Sequence, residues 1–149
     1  MLTYFFSGIE HKKQNPNIYP ETREFADAIE VPLVQNRQGH YLVGGKINSE
    51  KVTFLLDTGA TDVVVPESTA RDLGLGFGRK GVAITANGRV VIHETSIDRL
   101  EIGEITLVDV KASINPGMPR GAILLGMSAL SKIEFTQTGK TLTLRQRFL

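Results

Sequence analysis

The chain has no cysteine, no surplus of either charge and no apolar run long enough to cross a bilayer. Each absence removes a class of function. Without cysteine there is no thiol nucleophile, no disulfide framework and no thiolate-ligated zinc, although compartment is left open. Seventeen basic residues stand against sixteen acidic ones, for a formal net charge of +1. That balance provides neither an electrostatic footprint for nucleic acid nor a surface for a polyacidic partner. The apolar run Leu2-Thr3-Tyr4-Phe5-Phe6 is short, whereas a membrane-spanning helix needs roughly twenty residues. His11, His40 and His93 are scattered without ligand spacing, so no metal and no cofactor are expected.

What is present is 149 residues with 41% hydrophobic content, enough for one domain with a real core. Fifteen glycines and many short apolar runs between turn residues favour an all-β domain. Residues 1–30 read as an N-terminal tether or arm, extended around Pro16 and Pro20, with a short helix predicted over Glu21 to Ile29. The arm has two readings, a frayed terminus or the remnant of a membrane anchor with Ser7 to Pro20 as its polar tether. Residues 31–149 form the domain. Strands are predicted at Val31 to Val34 and His40 to Ile47, paired across Asn36-Arg37-Gln38-Gly39. Asn48-Ser49-Glu50 then turns the chain into the strand Lys51 to Leu56.

That strand runs straight into Asp57-Thr58-Gly59-Ala60. An ionised carboxylate is costly at the end of a buried strand. Gly59 permits a tight turn after it and Thr58 offers a hydroxyl, so a fixed loop presents the acid. The bland alternative is an ordinary turn by which the chain leaves a sheet. Val63 to Val65 is a further strand, and Pro66 to Gly74 a helix with Pro at its start and Gly at its stop. Gly76-Phe77-Gly78-Arg79-Lys80-Gly81 matches the dinucleotide fingerprint by letter, but it follows a helix and opens a strand, the reverse of what phosphate binding requires. Gly126-Met127-Ser128-Ala129-Leu130 lacks the last glycine of a hydrolase elbow.

Asn87-Gly88, between Val82 to Ala86 and Arg89 to Ile92, is a strong hairpin signal with both residues at the turn centre. Leu100 to Ile102 and Ile105 to Val110 form a strand pair about Gly103-Glu104, and Lys111 to Arg120 is a loop. Ala122 to Gly126 is a short apolar strand before a brief helix at Met127 to Lys132, and a last hairpin turns about Thr138-Gly139.

An apolar strand into Asp-Thr-Gly-Ala, a glycine-tipped hairpin, and an apolar pair plus Gly before a short helix together resemble the retropepsin-like aspartic proteases, most of all the bacterial membrane-anchored single-lobe group. Asp57 and Gly126 are 69 residues apart, which suits one lobe. The resemblance covers about Val31 to Arg145. It implies an all-β, single-lobe retropepsin-like acid protease barrel with one or two short helices. It also implies an aspartic endopeptidase acting on peptide or protein substrates, with Asp57 catalytic, Thr58, Gly59 and Ala60 in the active-site loop, and Asn87 and Gly88 at the tip of a flap.

Amide hydrolysis by water needs a base and an acid, so two carboxyls must share the site. One strand-acid-glycine stretch is present, which implies a homodimer with an Asp57 from each copy. Viral members place an acid and an Arg where this chain has Thr61 and Met127, so the dimer is expected to be weak and held differently. Members of the bacterial group carry a transmembrane helix, which supports the remnant reading of Met1 to Phe6 and an inner-membrane location with the protease domain in the periplasm; the alternative is a soluble cytoplasmic protein. The competing functions are a catalytically silent peptide-binding module of the same fold and a structural dimerisation domain.

Overall fold

The computed structural model describes residues 15–85 and 88–148. Its elements are β1 (Arg23–Glu24), β2 (Ala28–Val34), β3 (Leu42–Ile47), β4 (Glu50–Leu56), β5 (Val63–Pro66), α1 (Glu67–Asp72), β6 (Lys80–Thr85), β7 (Gly88–Ile102), β8 (Ile105–Asn115), β9 (Ile123–Leu125), α2 (Met127–Leu130), β10 (Glu134–Thr138) and β11 (Thr141–Arg147). One sheet runs β3-β4-β9-β5-β8-β7-β6, and β3 also pairs with β7, which closes the first six of these strands into a barrel. The second sheet runs β1-β2-β11-β10. The all-β barrel with two short helices is therefore as expected.

Apolar burial drives the closure. Phe54, Ile97, Leu100, Ile114, Ile123 and Leu125 belong to one buried core and are essentially fully buried, each withdrawing an apolar side chain worth roughly 1.5–3 kcal/mol from water. The tight connection between β3 and β4 is made by Asn48 and Ser49, both at positive φ, the backbone that a two-residue hairpin requires. Pro66 caps the start of α1 and Gly74, at φ 69°, follows its end, as the sequence implies.

Three expectations fail on long-range grounds. Asn36 to His40 does form a turn, with Asn36 N–H donating to His40 C=O at 2.8 Å, but the flanking strands enter different sheets. β2 pairs with β11, over a hundred residues away, while β3 pairs with β4 and β7. The buried side chain of Asn17 bridges the gap, donating to the carbonyls of Val34 and Leu42 and accepting from the Val34 N–H, each at 2.8 Å. Glu21 to Ile29 is not a helix, because Arg23 and Glu24 pair with Glu30 and Ile29. Lys111 to Asn115 is not loop either; it continues β8, which has β5 in parallel on one side and β7 on the other. The glycine-rich stretch around Gly76 to Gly81 opens β6 and no helix.

The described part of the arm packs on the domain, where the Asn17 carbonyl accepts from Gly44 N–H at 3.0 Å. Residues 1–14, which carry the anchor-remnant reading, lie outside the described residues. Among the described residues no helix is long and apolar enough to cross a membrane.

Candidate active site

Asp57 is delivered by β4, which lies parallel to β9 with Leu55 against Leu124 and Leu56 against Leu125. The Asp57 N–H donates to the Leu125 carbonyl at 3.2 Å, so the acid begins where the two central strands end together. Its carboxylate turns back over its own loop and accepts from the Gly59 N–H at 3.0 Å, while its carbonyl accepts from Ala60 N–H at 3.2 Å. A side chain at position 59 would stand 3.2 Å from Asp57 Oδ1. Clearance for the carboxylate, rather than a left-handed backbone, is what glycine provides there.

Thr58 and Gly59 are exposed, and Asp57 and Ala60 half-buried. Among the described residues the Thr58 hydroxyl has no partner in its own chain, which leaves it open to bond elsewhere.

The loop is fastened from behind by α2. Met127 N–H donates to Ala60 C=O at 2.8 Å and Ser128 N–H to Thr61 C=O at 2.9 Å. Gly126 makes this approach possible: a Cβ on it would fall 2.1 Å from the Asp62 carbonyl oxygen and 2.7 Å from that of Ala60. Leu124 and Leu125 support the loop as strand residues and carry no polar chemistry.

Two polar fasteners were not singled out from sequence. Ser128 Oγ accepts from Val63 N–H at 2.8 Å and donates to Lys111 C=O at 2.7 Å, tying α2 to β5 and β8. Asp62 Oδ2 accepts from the nearly buried Ser113 hydroxyl at 3.1 Å. Their partners are between 17 and 65 residues away, and no local pattern announces such pairs.

The hairpin of β6 and β7 pairs Thr85 with Gly88, so its connection falls on residues 86 and 87. Gly88, at φ 100°, is the first residue of β7 rather than a turn-centre residue, a shift of one position from the sequence expectation. Asn87 lies outside the described residues. Val82, Ile84 and Val91 share one face of this hairpin and are exposed by 62%, 83% and 53%, an apolar face that water alone would not favour.

Two clefts, of about 580 and 440 Å³, lie along Lys51 to Thr53 and Asn15, and a third of about 440 Å³ lies between Gly76 to Arg79 and Glu94 to Ser96; none of the three includes Asp57. The acid loop, with Thr58 and Gly59 exposed, faces open surface. Among the described residues no cluster of three or more His, Asp or Glu side chains could hold a metal ion.

The family model described as "gag-polyprotein putative aspartyl protease" matches residues 43–132, a span that contains the acid loop, the hairpin and Gly126. The chain belongs to the retropepsin-like aspartic protease family. The crystal structure of a retropepsin-like aspartic protease from Rickettsia conorii matches with a TM-score of 0.65 at 25% identity, over 86% of this chain and 95% of that one. EIAV protease, complexed with the inhibitor HBY-793, shares the fold with a TM-score of 0.54 at 20% identity, over 66% of this chain and 92% of its own. An uncharacterized protein in the cobV 5′ region of Sinorhizobium sp. is 30% identical over 111 residues, 72% of this chain and 48% of its length. The uncharacterized protein RP867 of Rickettsia prowazekii is 24% identical over 128 residues, 84% of this chain and 54% of its length. This retropepsin-like chain thus spans about half the length of the curated relatives it matches.

Proposed function

We propose that the chain is an aspartic endopeptidase whose site is completed by a second copy. A water between two Asp57 carboxyls attacks the carbonyl of a bound peptide. One carboxylate takes the water proton and the other, protonated, supplies a proton to the carbonyl oxygen. The pair shares one proton because adjacent like charges resist joint ionisation. Thr58 then braces the two loops across the two-fold axis, and the β6–β7 hairpins, with Asn87 and Gly88 at their tips, close over an extended peptide. No metal or other cofactor enters this scheme.

The observation that carries the reading is the aim of Asp57. Its carboxylate is held on the Gly59 N–H at an open surface, in a loop clamped by α2, within a family of aspartic proteases. The location at the inner membrane with the domain in the periplasm belongs to the same proposal and is checked by cell fractionation. Incubation with a peptide library tests the activity: wild type cleaves and Asp57→Asn does not. A folded wild type that binds peptides without cleaving them is instead the silent binding module.

A further inference from the structure

The arm and the β3–β4 hairpin enclose the cleft of about 440 Å³ along Lys51 to Thr53, which Asn15, Tyr19, Lys46 and Glu101 also line. Glycines shape it. A Cβ on Gly44 would fall 2.2 Å from the Ile18 carbonyl oxygen, and one on Gly45 2.3 Å from that of Glu101. The arm therefore lies against the bare backbone of β3, and no side chain from these two positions fills the space beside it.

The charges around this cleft do not balance. Lys46 on β3 stands directly opposite Lys51 on β4, and like charges directly opposite one another destabilise a strand pair. Every ion pair among the described residues is made by an arginine, and neither lysine side chain has a hydrogen bond there. Glu101 lies across from Lys46 on β7, but Arg99 already holds its carboxylate at 3.0 Å. The adjoining 580 Å³ cleft is balanced, with Glu50 and Asp72 against Lys51 and Arg120. The smaller one sets two ammonium groups against a single carboxylate that is taken.

A third donor stands unused. Asn15 is 2% exposed and lines both clefts. Its Oδ1 accepts from the Asn17 N–H at 2.9 Å, which fixes the orientation of the amide, and its Nδ2 has no hydrogen-bond partner. A buried amide donor without an acceptor costs stability, so such a group marks a place where an acceptor belongs.

We infer that this cleft binds a compact oxyanion, the phosphate or carboxylate group of a small molecule, between the ammonium groups of Lys46 and Lys51 with the Asn15 amide as a further donor. Such a ligand removes two costs together, since it screens the opposed lysines and accepts from Nδ2. The site is separate from the acid loop. Asp57 is six residues beyond Lys51 along β4, up to about 20 Å of extended chain. The anion site therefore stands whether or not a second copy completes the one at Asp57.

Thermal melting tests the site without reference to catalysis. The chain is melted in sodium phosphate and in sodium succinate, each against sodium chloride at equal pH and ionic strength. Wild type should gain about 3 °C or more in at least one of them, the shift that mass action gives at about tenfold excess over the dissociation constant in a domain of this size. A gain in phosphate alone names a phosphoryl ligand, and one in succinate alone a carboxylate. Asn15→Asp keeps the acceptor for the Asn17 N–H and sets a negative charge where the anion sits, while Lys46→Met with Lys51→Met removes both ammonium groups. Each should abolish the gain. Lys140→Met, at an exposed lysine in the turn between β10 and β11, should retain it. No gain in wild type with either salt overturns the site. An equal gain in the double lysine variant, or in Asn15→Asp, overturns it as well, since the effect is then the general strengthening of apolar burial by excluded salts.

Discussion

The acid loop and the hairpin of β6 and β7 are built in opposite ways. Behind Asp57 the loop is clamped: α2 donates two backbone hydrogen bonds into it, and position 126 has no room even for a methyl group. At the hairpin, a Cβ on Gly88 would meet nothing within 4 Å, and Val82, Ile84 and Val91 stand in the open. Filled packing holds a group in place, because any displacement meets repulsion or breaks a bond. An open two-stranded hairpin has little to lose by moving. The contrast is the one that the proposed hydrolase, with a fixed acid and a closing cover, would need.

Asp57→Asn tests the fixed side most strongly. It should lower peptide hydrolysis by about a thousandfold or more, since proton transfer to and from the water is lost, with unchanged circular dichroism. Substantial turnover in a clean preparation of this variant would remove Asp57 from the chemistry. Gly126→Ala attacks the same side through packing. A Cβ 2.1 Å from the Asp62 carbonyl oxygen must displace the loop, so unfolding free energy should drop by about 3 kcal/mol or more. Denaturant titration reads this, and a variant as stable as wild type would mean that the clamp is loose.

Gly88→Val is the matching test of the open side. Its left-handed φ of 100° disfavours a β-branched residue, at a local cost of about 1–3 kcal/mol placed where little core depends on it. Turnover should fall at least about tenfold while melting temperature shifts only slightly. A loss of stability in step with activity would make the hairpin ordinary sheet and erase the comparison. The smallest effect is expected for Ser128→Ala. It leaves the Val63 N–H and Lys111 C=O without their bonds, a cost of about 1–3 kcal/mol, with cleavage retained in the folded fraction. Full stability in that variant would show that water replaces the hydroxyl and that the clamp rests on backbone bonds alone.

Legibility in the sequence followed distance along the chain. The β4 strand into Asp57, the Pro66 to Gly74 helix, the Asn48-Ser49 turn and the Thr138-Gly139 hairpin each depend on a few adjacent residues, and each is present. Strand β7 was harder: its middle, His93 to Arg99, is polar except for the buried Ile97 and falls between the two predicted strands, yet it is one continuous strand from Gly88 to Ile102 because β8 lies along most of it. The helix expected over Glu21 to Ile29 failed for the same reason, since backbone groups that a helix would satisfy internally found β2 and β11 instead.

The family resemblance and the place of Asp57 at a strand end were legible in the sequence, because the apolar strand, the acid and the glycine that carry them are adjacent along the chain. Tertiary structure decided how that acid is aimed and held. The Asp57 carboxylate rests on Gly59, Gly126 fits against Asp62, and Ser128 joins β5 to β8. It also decided that β2 closes on β11, which among the described residues leaves β10 at the edge of the second sheet. Such pairings join groups tens of residues apart, and their energies depend on which backbone and side-chain atoms meet in space; no window of neighbouring residues contains that information.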